Sequence, residues 1–191
     1  MSAWEKRGNR GTGKKDKIVG GEVPQEGLLE TRLKEVAGRL HRARGPQALA
    51  EILAQDAGGP LWLEDHPWLQ EAAPELEKIG LSPRIAPEIW ELEAHTAVTV
   101  GLGAVPETGS VLVAGDGPAS WLSLQARVHV VLVPTQRADL SFSQALDLTG
   151  KHEAPMVTWL TGPTRTADIE KVLILGAQGP GELVVVIYEP D

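Results

Sequence analysis

Two uninterrupted apolar runs, Val130-Val131-Leu132-Val133 and Leu183-Val184-Val185-Val186-Ile187, constrain this chain more than any other feature. A strand with one wet face alternates apolar and polar residues, so short valine-rich runs without alternation fit strands covered on both faces. Such strands belong to mostly parallel sheets, whose crossovers are helices. The fold class expected is therefore α/β, with three α/β/α layers around a mostly parallel central sheet. Twenty-one glycines and fourteen prolines suit the many short connections of that architecture.

The remaining periodicities supply the alternation. Leu28, Leu29, Leu33, Val36, Ala37 and Leu40 recur at helical steps and predict a helix to about Arg44, broken by Gly45-Pro46. A second helix is expected from Pro46 to Gln55, a strand at Leu61–Leu63, and helical turns from Pro67 to Ile79 interrupted at Pro74. Another helix is expected at Pro87–His95, with extended segments at Arg84–Ala86 and Ala97–Val100. Strands follow at Ser110–Ala114, Arg127–Val133, Met156–Leu160 and Leu183–Tyr188, with a helix around Phe142, Ala145 and Leu146 opened by Ser141 or Ser143. Residues 27–191 read as one α/β domain with 27–57 as a helical lead-in, and residues 1–26, glycine-rich and charged without periodicity, as a flexible basic arm.

Charge and composition exclude several functions. Residues 1–17 hold six lysines and arginines against Glu5 and Asp16, so an arm of +4 precedes a body of −12 in a chain of formal net charge −8. An acidic body repels polyphosphate, which argues against nucleic-acid binding. With no cysteine there are no disulfides, thiol nucleophiles or thiolate cluster ligands, so no cofactor is expected on this chain and electron chemistry falls to a partner. No apolar run is long enough to span a bilayer and the charged start lacks a signal-peptide core, so a cytoplasmic protein is expected. Gly8 to Lys15 approaches a phosphate-loop pattern but ends in lysine where a hydroxyl is needed. Gly101-Leu-Gly103 lacks the third glycine of a dinucleotide fingerprint, because Pro106 stands there.

The densest polar chemistry is Thr161 to Glu170, TGPTRTADIE, followed by Gly176-Ala177-Gln178-Gly179-Pro180. After the strand at 156–160, Thr164, Arg165 and Thr166 offer two hydroxyls and a guanidinium suited to an anion, and Asp168 follows. The bland reading is a structural staple in which Arg165 pairs with Asp168 and Asp168 caps a short helix. A second candidate loop is Glu107-Thr108-Gly109-Ser110, which reads equally as a tight turn. Strand alternation places Arg127, His129 and Val131 on one face, leaving the His129 ring half buried; it is either a core histidine or an acid–base group, for which Glu107 is the other candidate. Glu88, Glu91 and His95 have helical spacing for a metal but lack a further histidine or cysteine, and no metal site is expected. Of six tryptophans, Trp159 is the one placed to line a pocket.

Three blocks in order carry a family resemblance: Ala104 to Val113, Ser123 to Pro134 with His129, and GPTRTADIE with GAQGP and the terminal strand. Together they resemble the lactate utilization protein C (LUD domain) family over about residues 95–188. Thr164 stands where serine is commoner in that signature, and Gln178 where histidine is usual, which removes an ionisable group. The resemblance implies the fold shared by ribose-phosphate isomerase, glucosamine-phosphate deaminase and CoA transferases. It also implies a non-redox subunit of the system that oxidises L-lactate to pyruvate, beside iron–sulfur partner subunits. Within that role Arg165 would clamp a small anionic ligand, while Ser110, Thr164 and Thr166 would donate hydrogen bonds. Glu107 and Asp168 would orient the loops, Gly162, Gly176 and Gly179 would allow backbone approach, and Thr108, Gly109 and Gln178 would complete the site. Two alternatives stay open: an independent enzyme on a phosphorylated or nucleotide-linked small molecule, and a purely structural interaction module.

Overall fold

The computed structural model describes residues 25–56, 58–86, 95–115, 122, 124–163, 165–167, 173–175 and 179–191, with backbone alone at 25–26, 165–167 and 173–175. The elements in chain order are α1 (Gln25–Glu35), β1 (Arg39–Arg44), α2 (Gly45–Asp56), β2 (Leu61–Leu63), α3 (Pro67–Lys78), β3 (Pro83–Ile85), β4 (Thr96–Val105) and β5 (Ser110–Ala114). Then come β6 (Val128–Pro134), a 3-10 turn (Thr135–Arg137), α4 (Phe142–Lys151), β7 (Val157–Leu160), β8 (Arg165–Ala167), β9 (Leu173–Leu175) and β10 (Glu182–Glu189). The central sheet runs β1-β10-β6-β4-β2-β3, every neighbouring pair parallel. β5 and β7 extend it as an antiparallel wing on β4, and β8 and β9 form a separate two-stranded ribbon.

The two apolar runs sit at the middle of this sheet, as β6 and β10, and each serves two cores. Val130, Leu132, Val184 and Val186 pack under α2 and α3 through Leu49, Leu53, Leu69 and Leu76. Val131, Val133, Val185 and Ile187 pack on the opposite face under Leu29 and Leu33 of α1 and Val111 and Val113 of β5. Each such side chain stabilises the fold by roughly 1.5–3 kcal/mol on burial, which is why neither run tolerates alternation. The mostly parallel α/β architecture expected from these runs is the one observed.

Several local expectations are corrected. The first helix ends at Glu35 rather than Arg44, and the expected helical lead-in contains a strand. Ala37 adopts φ 61°, its N–H donating to Lys34 O at 3.1 Å while Gly38 N–H donates to Leu33 O at 2.7 Å. That pairing is a Schellman stop, with glycine one position later than its usual place, so the helical spacing of Leu40 was coincidental. Residues 39–44 instead form an edge strand of alternating exposure whose arginines discourage further pairing. α3 runs through Pro74, which lies with Gln70 on the exposed side of the helix, where the carbonyl that proline leaves without a helical donor faces solvent instead of the core.

β4 is longer than expected and includes Gly101 and Gly103. Its first half pairs in parallel with β2 and β6 up to Val100; from Gly101 it pairs antiparallel with β5, in a ladder whose register shifts between Gly101 and Gly103. Glu64 supports the change of partner, its Oε2 accepting from Val100 N–H at 2.6 Å. The helix expected at 87–95 lies outside the described residues apart from His95, as does the Gly8–Lys15 segment.

Candidate functional site

The turn after β4 and the turn after β7 meet beneath α1. Thr108 Oγ1 donates to Ser110 Oγ at 2.8 Å, and Ser110 Oγ lies 2.6 Å from Thr161 Oγ1. Ser110 is 3% exposed, whereas Thr108 and Thr161 are open to solvent. Thr108 Oγ1 also lies 3.3 Å from Val105 O, and either hydroxyl of the Ser110–Thr161 pair can be the donor. The chain of hydroxyls thus ends at the exposed Thr161 hydroxyl, which is left able to donate outward when Ser110 donates to it.

Two glycines hold these turns against the helix. Gly109 has φ 67° and a Cβ there would lie 2.7 Å from Cβ of Arg32; Gly162 has φ 92° and a Cβ there would lie 2.8 Å from Cβ of Val36. Both positions require glycine for conformation and for space. The close approach they permit is to α1, which answers why they are glycine without reference to a ligand.

Glu107 opens onto a groove of about 210 Å3 lined by Leu28, Pro106, Glu107, Asp139, Leu140, Ser141 and Gln144. Its far wall is the start of α4, where Ser141 Oγ accepts from Gln144 N–H at 3.2 Å and the Gln144 side chain accepts from Ser141 N–H at 2.8 Å. This capping box spends the helix's first donors internally, and it identifies Ser141 as the opener. With Glu107 and Asp139 on the rim, the groove repels anions.

His129 stands apart from both turns. It is 0% exposed, not half buried as expected, with Nε2 2.8 Å from Thr99 Oγ1 and no partner at Nδ1 among the described residues. Burial pushes its pKa down to about 4, so the ring is neutral at physiological pH. The correction arises because Ala97 and Leu183, both buried, are its in-register neighbours on β4 and β10, which places it in the interior of the sheet and not at an edge. His129 lies at the amino end of β6, about 17 Å of strand before Pro134 at 3.3 Å per residue. Glu107, in contrast, shares its groove with Asp139 and Leu140, which follow the carboxyl end. The two are not brought together as an acid–base pair.

Of the 161–180 segment, Arg165 and Thr166 lie in β8, in register with Leu175 and Ile174 of β9. Arg165 therefore sits opposite the residue before Gly176, so the ribbon joins the two halves of the signature. Thr164, Asp168, Gly176 and Gln178 lie outside the described residues. Gly179 precedes β10, and Gly181 N–H there donates to Arg127 O at 3.0 Å. Trp159 packs on Phe142, ring centroids 5.3 Å apart, in the small core between the wing and α4. Glu88 and Glu91 lie outside the described residues; His95 Nδ1 is 3.3 Å from Thr96 Oγ1, and the described residues contain no cluster of metal-ligating side chains.

Sequence reasoning missed Thr161 as the end of the hydroxyl chain, Thr99 as the partner of His129, and the groove residues Leu28, Asp139 and Gln144. Only the Ser-x-x-Gln spacing of the capping box was a readable signal for any of them.

Comparison with known proteins follows the same blocks. The chain is 27% identical over 164 residues to a protein named Lactate utilization protein C in Exiguobacterium sp., covering 80% of this chain and 64% of that protein; further relatives bear the same name. It is 30% identical over 113 residues to an uncharacterized protein of Neisseria meningitidis, covering 54% of this chain and 48% of that one. The chain thus spans about half to two thirds of the length of these two relatives. The crystal structure of a DUF162 family protein from Deinococcus radiodurans superposes with a TM-score of 0.62 at 18% identity, covering 86% of this chain and 96% of that one, which shows a shared fold. The LUD domain model matches residues 91–188, more than half of the chain, and the chain belongs to the LUD domain family.

Proposed function

We propose that this chain is a non-redox subunit of an L-lactate utilization system, acting beside iron–sulfur partner subunits in the cytoplasm and binding a small anion. The role comes from the relatives named Lactate utilization protein C, and the division of labour from the absence of cysteine in the sequence. Among the described residues no helix is long and apolar enough to cross a membrane, in keeping with this reading.

The observation that carries the ligand site is the Thr108–Ser110–Thr161 chain, because it links both candidate loops and presents an exposed hydroxyl, able to donate when Ser110 donates to it, next to the segment bearing Arg165. The anion would take that donor and the Arg165 guanidinium, with Thr164, Thr166 and Asp168 completing the loop. It would avoid the groove at Glu107, whose charge opposes it. The independent-enzyme reading loses one of its two acid–base candidates, because His129 is sealed at the amino end of β6, while Glu107 stays exposed.

Calorimetric titration of the full chain with L-lactate, pyruvate and inorganic phosphate tests the site. One of these should bind, and Arg165→Ala should weaken it about ten-fold or more, as expected for loss of a charge-assisted contact. Binding of none of the three, or equal binding by the variant, overturns the clamp.

A further inference from the structure

We infer that the acidic groove at the start of α1 is the docking place of this chain's own basic segment, residues 1–24, which lies outside the described residues. The groove has an apolar floor of Leu28, Pro106 and Leu140 and a rim carrying Glu107 and Asp139, with no cation among its lining residues. Arg137, two residues before Asp139, is turned away toward Leu102 O at 3.5 Å. A floor that takes methylene stems beneath a carboxylate rim is suited to lysine and arginine side chains, which bury their stems and keep their charge at the surface. The cavity has room for one such side chain at a time.

Tethering makes residues 1–24 the occupant at hand. Leu28 lies one helical turn inside α1, so the chain enters the helix at the lip of the groove. Lys17 is eight residues before Gln25, and Lys14 and Lys15 follow closely, within about 30–40 Å of extended chain. Lys14, Lys15 and Lys17 are therefore within tether reach of the rim, at an effective concentration on the order of millimolar. Exposed ion pairs are individually weak, so occupancy rests on this tether and on several basic residues exchanging in one groove. Docking there places a cationic segment beside the Thr108 turn and offsets the repulsion that Glu107 and Asp139 exert on an incoming anion. The inference stands whether or not the lactate reading does.

The chain has no cysteine, so Gly13→Cys in the full-length protein carries a single spin label. Amide signals of Leu28, Glu107, Asp139 and Gln144 should lose intensity about two-fold or more relative to the reduced label at low ionic strength, and recover in about 0.5 M salt as screening removes the attraction. The same label in the Glu107→Gln/Asp139→Asn variant should leave them unbroadened, with the rest of the spectrum superposing. Broadening that persists in that variant, spreads evenly over the surface, or arises from a label on a second, separately prepared copy overturns the inference. Absence of broadening at low salt overturns it equally.

Discussion

Replacing His129 by glutamine should make the protein more acid-resistant while keeping its fold. Burial pushes the pKa of the native ring down to about 4, whereas in the unfolded chain it returns to the ordinary histidine value of 6.5. Between these values the unfolded state binds more protons, so stability falls as pH drops from 6.5 toward 4 and is unaffected by this group above or below that window. The slope is 1.36 kcal/mol per pH unit for one proton, which amounts to about 3 kcal/mol across the window. Glutamine does not titrate and its terminal amide reaches the position of Nε2, so the partner of Thr99 Oγ1 is retained. Urea unfolding at pH 7.5, 6.5, 5.5 and 4.5 checks this. Relative to its own value at pH 7.5, the variant should be less destabilised than the wild type at pH 4.5 by about 2–3 kcal/mol, with carboxylate contributions cancelling in the difference. Parallel pH curves for the two proteins would refute a sealed, neutral His129.

The remaining predictions concern the site's scaffold. Ser110→Ala removes the middle hydroxyl of the chain and should cost about 1–3 kcal/mol in denaturant unfolding, because Thr108 and Thr161 lose their common partner; an unchanged midpoint would contradict the buried linkage. Gly162→Ala combines a left-handed backbone with a Cβ inside contact distance of Val36, so hydrogen exchange of α1 should accelerate more than that of β6; equal protection in both would refute the packing. Leu33→Ala empties a fully buried position between α1 and the sheet and should cost about 2–5 kcal/mol by chemical denaturation, less than 1 kcal/mol being incompatible with that burial.

The central strands were legible because valine-rich runs covered on both faces have one architectural solution, and β6 and β10 were placed to within a residue at each end. The edges were not. Leu40 continues a helical period, yet the stop at Ala37 and Gly38 is a matter of backbone hydrogen bonds that periodicity does not register. The partner change in β4 depends on tertiary pairing of Gly101 and Gly103 with residues downstream, so only Ala97–Val100 read as extended. For the site, the polar loops announced themselves by residue type, but Ser110 and Thr161 are fifty-one positions apart and their hydrogen bond is a product of the β5–β7 pairing. Gly109 and Gly162 were legible as special backbone positions, whereas the surface they approach, the side of α1, was not. His129 was read as half buried because alternation assigns a face and says nothing about what covers it.

In the proposed role, lactate oxidation needs this chain although its sequence has no cysteine to ligate a redox cluster. L-lactate-dependent dye reduction, measured in extracts of source cells whose gene for this chain has been deleted, tests that role. Activity should be lost, and adding the purified wild-type chain should restore it while Arg165→Ala restores far less. Undiminished lactate oxidation in the deletion extract would contradict it.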